Sequence, residues 1–211
     1  MFHRSARLLL RPIWPEDWRG VHRGIADEGV VRNLARAPWP YSEEDARRFA
    51  EREENPKYPR FLVTRAADAQ ILGCVGFNEA SPTDHAEASG GRDAPAVELG
   101  YWIARLFWGQ GFATEAGAAA LAVARALGHR HAVASHFLDN PASGRVLAKL
   151  GFEPTGRIVM HASCGRGEEA PAALYRMDLA KMASPVRAGP EIAKRSASRH
   201  VRRLERGRRF A

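Results

Sequence analysis

The alternation of apolar and polar positions divides the chain into strands and helices before any motif is considered. Residues 97–104 are β-branched, aromatic or apolar with few exceptions, carry no breaker except Gly100, and are predicted to form a central strand. A period of two puts Glu98, Gly100 and Trp102 on one face and Val97, Leu99, Tyr101 and Ile103 on the other. A loop turning at Gly109 and Gly111 follows, and beyond Thr114 an alanine-rich run, 116–127, predicts a helix. Upstream, 7–12 reads as a strand, and Pro15, Glu16 and Asp17 open a helix with acids in its first turn. Residues 33–41, with Pro38 and Pro40, form a loop, and Ser42 caps a helix running to about residue 54. Residues 60–65 and 71–77 pair as a hairpin around 66–70. Residues 79–95 are polar, contain Gly90 and Gly91, and read as a mobile loop. Downstream come a strand at 131–138, a helix at 141–150, a strand at 152–163, a charged turn at 164–171 and a closing strand at 173–180. After Met182 the apolar density falls. This divides the chain into an α/β domain, 1–182, and a tail, 183–211, expected to be disordered or conditionally helical.

Strand, glycine loop and helix N-terminus are the local recipe for holding phosphate. The first turn of a helix has unbonded N–H groups, and its dipole favours negative charge. Two familiar phosphate loops are excluded by chemistry. No lysine stands where a Walker A loop needs one. A dinucleotide fingerprint needs a third glycine where this chain has Thr114, and an acid about twenty residues on, where no acid precedes Asp139. A nucleotide-dependent oxidoreductase is therefore a poor reading.

Composition changes the picture in two places. The two cysteines, Cys74 and Cys164, make no disulfide framework, and with neither a signal-peptide core nor an apolar run of membrane length the expected location is cytoplasmic. The net charge of +8 suggests nucleic acid until it is located: the tail carries +7 of it, and the domain is nearly neutral. The eight histidines invite a zinc reading. Yet His131 and His136 fall on opposite faces of their strand, and no cysteine or carboxylate pair completes a tetrahedral site, so no metal is expected.

Residues 108–113 (Trp108, Gly109, Gln110, Gly111, Phe112, Ala113) resemble the pyrophosphate loop of the GNAT superfamily of acyl-CoA N-acyltransferases, Arg/Gln-x-x-Gly-x-Gly/Ala. The first position departs from the pattern. Trp108 stands where the family carries Arg or Gln, a departure that resembles the RimJ/RimL-type protein N-terminal acetyltransferases. The resemblance continues through Asp139, Asn140, Pro141, Ala142 and Ser143 and through residues 147–152, covering roughly 6–180. It implies a mixed, mostly antiparallel sheet of about seven strands with helices on both faces, splayed where the central strand parts from the strand at 131.

The resemblance also implies acetyl-CoA as cosubstrate and transfer of acetyl to a primary amine, most readily a protein N-terminus, by direct attack on the thioester. Its pyrophosphate would lie on Gln110, Gly111, Phe112, Ala113 and Thr114, beside Trp108 and Gly109, with the pantetheine arm along Tyr101, Trp102, Ile103 and Ala104. Asn140 would contact that arm, though as the residue before Pro141 it is equally a helix cap. Ser143 could return a proton to the sulfur, or be an unremarkable first-turn serine. Glu115 reads as an ordinary acid in a first turn. Glu98 is more pointed. A carboxylate in an apolar strand needs a partner or a task, so it is either a general base or half of a buried pair with Arg105 or another cation. The acceptor side would be shaped by 30–41, 79–95 and 164–171. Two alternatives stand: acetylation of a small amine such as a polyamine or antibiotic, and a non-catalytic domain tethered to RNA or the ribosome by the tail. Either a monomer or a homodimer is compatible.

Overall fold

The computed structural model describes residues 1–81 and 96–182; the expected loop at 79–95 lies outside the described residues from 82 on, its first residue Glu79 ending a strand, and the tail at 183–211 lies outside them entirely. Eight strands form one sheet: β1 (His3–Arg4), β2 (Leu8–Arg11), β3 (Arg60–Arg65), β4 (Ile71–Glu79), β5 (Ala96–Ile103), β6 (His131–Phe137), β7 (Glu153–Ser163) and β8 (Glu168–Asp178). Their order is β1-β2-β3-β4-β5-β6-β8-β7. One more strand is present than the expected seven, because the chain before Ser5 folds back as β1 on β2. Every pairing is antiparallel except β5 with β6. The α-helices among the described residues are α1 (Trp18–Ile25), α2 (Glu28–Val31), α3 (Glu43–Glu51), α4 (Phe112–Ala126) and α5 (Pro141–Leu150).

The strand alternation of β5 separates two cores. Val97, Leu99 and Ile103 pack with Val75 and Phe77 beneath α4, where Ala116, Ala120 and Leu121 are buried, and Leu147 of α5 joins them. Trp102 and Cys74 face the other way, under Val21 and Ile25 of α1 and Ala46 and Ala50 of α3.

Boundaries differ from expectation for local reasons. Ser42 caps α3 as predicted, with a reciprocal bond from its own N–H to Asp45, but the helix ends at Glu51 rather than near 54. Arg52 leaves helical backbone at ψ 128°, four residues ahead of Pro56. Helix α4 starts at Phe112, two residues before Thr114, because Gly111 takes a left-handed conformation and serves as its N-cap. Strand β8 begins at Glu168 rather than 173. Its first four residues form ladder pairs only with β7, whereas those with β6 begin at Ala172; on the β6 side Pro171 offers only its carbonyl, to Leu138 N–H at 3.0 Å, and the end of a ladder tolerates proline.

The feature that positions the site is the parting of β5 and β6. They pair only over Ala96–Glu98 against His131–Val133. Beyond that, β5 continues to Ile103 and β6 to Phe137 without pairing to each other. The N–H of Ala104 donates to Leu72 O at 2.8 Å, on the β4 side. By alternation, the N–H and C=O of Tyr101 turn the other way, into the opening.

Candidate active site

The opening leads to a helix N-terminus that the protein leaves uncapped. In α2, α3 and α5 a side chain accepts a first-turn N–H: Asp27, Ser42 and Asn140 respectively. Helix α4 has Gly111 at its N-cap, φ 79°, and no side-chain cap. Its first intrahelical bond is Glu115 N–H to Gly111 O at 3.1 Å, so the N–H groups of Phe112, Ala113 and Thr114 remain as donors at the positive end of a fifteen-residue helix. A Cβ on Gly111 would meet only Arg7, at 3.6 Å. This arrangement suits a pyrophosphate: bare backbone, convergent donors and left-handed turns at both Gly109 and Gly111.

Two residues hold the loop in place. The indole N–H of Trp108 donates to Ile103 O at 2.6 Å, tying the end of β5 to the loop. Arg7 is the functional residue that sequence reasoning missed. Its Nη1 donates to Gln110 O at 3.1 Å, its Nε to Glu115 Oε2 at 2.7 Å, and its guanidinium lies 4.5 Å from the Phe112 ring. Glu115 also accepts from Ser5 Oγ and the Arg7 N–H, both at 2.7 Å. Burial pushes the Glu115 carboxyl up, but these hydrogen bonds outweigh it and hold the group below its ordinary value. The first-turn acid therefore fastens the chain's first hairpin to the phosphate loop, a contact across more than a hundred residues that no local pattern announces.

A cavity of about 910 Å³ runs from this loop through the sheet opening to the opposite face. Of the residues singled out in the sequence, Glu98, Tyr101, Trp102, Ile103, Trp108, Gly109, Gly111, Phe112, Ala113, Thr114, Asn140 and Ser143 line it. Ala104 and Gln110 do not. Ala104 is buried in the core under α1 and α3. Gln110 is exposed and donates its amide to Leu106 O. Asn140 acts as the cap, accepting Ser143 N–H at 3.3 Å through Oδ1. Ser143 Oγ lies 2.8 Å from the Tyr101 hydroxyl. Burial pushes the Tyr101 phenol up to about 12, against a small opposing effect of the serine, so it keeps its proton at neutral pH.

Glu98 enters the cavity from the α1–α3 face, its side chain 29% exposed. Its cationic neighbour is Arg36 rather than Arg105: Arg36 Nη2 is 3.7 Å from Glu98 Oε2, while Nη1 donates to Asn78 Oδ1 at 2.6 Å. Arg105 instead lies 3.9 Å from Asp27. The wall around Arg36 is fastened to the β7–β8 hairpin. Ser163 Oγ donates to Leu34 O and Cys164 N–H to Ala35 O, each at 2.9 Å. Asp139 joins Arg32 at 2.8 Å and takes both ends of the Arg166 guanidinium at 2.8 and 2.9 Å. The Arg166 hydrogen bonds hold its carboxyl well below the usual range, against a smaller effect of burial. Among the described residues no group of three or more His, Cys, Asp and Glu could hold a metal ion, and no helix is long and apolar enough to cross a membrane.

Residues 7–153 match the Acetyltransferase (GNAT) domain family. The "Uncharacterized N-acetyltransferase YoaA" of Bacillus subtilis strain 168 is 29% identical over 154 residues, 71% of this chain and 81% of that protein. An acetyltransferase of the GNAT family from Bacillus anthracis superposes with a TM-score of 0.70 at 22% identity, covering 86% of this chain and all of that one. RimL, a ribosomal alpha-N-protein acetyltransferase solved with coenzyme A, superposes with a TM-score of 0.65 at 19% identity, over 84% of this chain and 98% of the other. With a family match over most of the described domain, the parted strands and the uncapped helix behind them, the chain belongs to the GNAT family of acetyltransferases.

Proposed function

We propose that this acetyl-CoA-dependent enzyme acetylates the N-terminal amine of a protein, by direct attack of the amine on the thioester. The observation that carries the reading is the cavity that crosses the sheet, with phosphate donors on one face and a carboxylate on the other. Acetyl-CoA supplies the activated acetyl group. The N–H groups of Phe112, Ala113 and Thr114 bind its pyrophosphate, and the backbone of Tyr101 orients the pantetheine amides in the opening. Glu98, across the sheet, accepts a proton from the acceptor ammonium, and the nitrogen lone pair becomes free to form the C–N bond. Attack leaves a second proton on the nitrogen; as the C–S bond breaks, the Ser143 hydroxyl gives a proton to the thiolate and takes the nitrogen's through the Tyr101 hydroxyl beside it, while Glu98 releases its own to solvent. Positioning supplies most of the rate, because both reactants are held in one cleft.

A protein acceptor is favoured over a small amine by the likeness to RimL, an alpha-N-protein acetyltransferase, and by the acceptor end of the cavity lying against exposed Arg36. The test is thiol release from acetyl-CoA with a panel of short peptides, polyamines and aminoglycosides. Peptides with a free N-terminus should turn over and N-terminally blocked ones should not. Turnover of the small amines alone would overturn the protein-acceptor reading.

A further inference from the structure

Gly100 sits in the middle of β5, on the face it shares with Glu98 and Trp102. A strand interior is a costly place for glycine, which packs nothing and loses more freedom than any other residue on folding. Three causes account for such a glycine: a left-handed backbone, a neighbour pressing on it, or a ligand passing over it. Gly100 is not among the positive-φ glycines. A Cβ added to it would meet no described residue within 4 Å. Its cross-strand partner Gly76 is different, since a Cβ there would come 2.9 Å from Arg60 Cα. Packing explains Gly76. Among the described residues nothing explains Gly100, which is exposed and lines the cavity.

The space above it has a definite chemistry. Glu98 is two residues away on the same face, about 6.6 Å along the strand. A group attached to the carbon next to an amine at Glu98, directed along the strand toward the opening, would lie over Gly100. Two charged groups that reach this lobe, Arg60 and Asp45, are engaged by other groups of the protein. Arg60 donates to Glu54 and to the carbonyls of Phe49 and Arg52, and Asp45 is held by Ser42 and Arg48. Arg36 is taken up by Glu98 and Asn78, Arg52 is exposed, and the apolar part of the described wall is Leu34, Tyr41, Phe49, Cys74 and Trp102. Burial pushes the Tyr41 phenol and the Cys74 thiol each up to about 12, so neither is charged at neutral pH.

We propose that Gly100 keeps open the space for the side group on the acceptor's first carbon, and that this group is uncharged and apolar. The inference rests on Glu98 facing the acceptor amine. In a peptide acceptor the group is the side chain of the first residue, so Gly100 sets which N-termini the enzyme accepts.

The experiment compares the full chain with Gly100→Ala and Gly100→Val on peptides differing only in their first residue: Gly, Ala, Leu, Phe, Asp or Lys. The wild type should favour Leu and Phe over Asp and Lys by about tenfold or more in kcat/KM, as a buried apolar side chain implies. Gly100→Val should lower kcat/KM for Leu and Phe by about tenfold or more while leaving the Gly peptide and the acetyl-CoA Kd within about threefold. Gly100→Ala should fall between, and decides the matter if the valine variant fails to fold. An unchanged Leu-to-Gly ratio, an equal loss on every peptide, or a wild-type preference for Asp or Lys overturns the inference and leaves the acetylation reading standing. A wild type that acetylates none of these peptides overturns that reading, and the inference falls with it.

Discussion

At the scale of single residues, the site separates groups that must react from groups that must only be absent. In the proposed reaction Glu98 belongs to the first kind. A peptide α-amine, with an ordinary pKa of about 7.7–8.0, is mostly protonated at pH 7, so attack needs a base inside the cleft. Replacing Glu98 by Gln keeps shape and removes basicity. Turnover at pH 7 should fall by about a hundredfold, with acetyl-CoA binding unchanged and part of the loss recovered at higher pH, where the amine arrives deprotonated. Normal turnover of this variant at pH 7 would make Glu98 a structural partner of Arg36. Ala113 belongs to the second kind. Ala113→Glu sets a carboxylate among the pyrophosphate donors, and calorimetry should find the acetyl-CoA Kd raised about tenfold or more, roughly 1.4 kcal/mol. It is a cleaner probe than Gly111→Val, because a β-branched residue at φ 79° adds backbone strain of about 1–3 kcal/mol to any effect on binding.

At the scale of elements, what was legible in the sequence was what depends on neighbours a few residues away. The β5 alternation, the hairpin of β3 and β4, the Ser42 cap and the Asn140–Pro141 start of α5 all follow from period and capping chemistry. The insertion of β8 between β6 and β7 and the grip of Arg7 on the phosphate loop do not, because they are set by contacts between distant segments. Asp139 is of the second type. It reads as the residue before a cap, yet it clasps Arg166 of the hairpin and Arg32 after α2, joining the acceptor wall to the N-terminus of α5. Its carboxyl is held low in the fold, so its contribution is present above the ordinary aspartate range and disappears as pH falls through the folded value. Asp139→Asn should therefore lower stability at pH 7 by about 0.5–1 kcal/mol, a modest figure because solvent screens a half-exposed carboxylate. Denaturant titrations of variant and wild type should converge once the pH has fallen below the lowered folded value of the Asp139 carboxyl, where both side chains are neutral. A difference that persists at that pH would mean the clasp works through shape rather than charge. The acceptor KM should rise more than that for acetyl-CoA, since the clasp holds the acceptor wall.

At the scale of the whole molecule, the distribution of charge splits the chain into two jobs. Residues 183–211 hold nine Lys or Arg and two Glu, and leave the remaining 182 residues nearly neutral. A neutral enzyme body has no electrostatic reason to dwell on RNA, whereas a stretch of that charge does. We propose that the tail localises the enzyme and takes no part in chemistry. The domain offers a clean place to test this. Met182 packs against the core under α4, and Arg125 donates to its carbonyl at 2.7 Å. A chain ending at Met182 would present its terminal carboxylate to that same arginine, so the cut leaves the last described contact in place or strengthens it. Turnover of a short peptide acceptor by the truncated enzyme should stay within about twofold of the full chain, since no described cavity residue is removed. Binding to RNA should weaken, and the slope of log K against log salt should flatten, by about 0.7 for each single-strand phosphate that the tail no longer neutralises. Loss of peptide turnover on truncation would put the tail at the active site and overturn the assignment. An unchanged salt slope would remove nucleic acid as its partner.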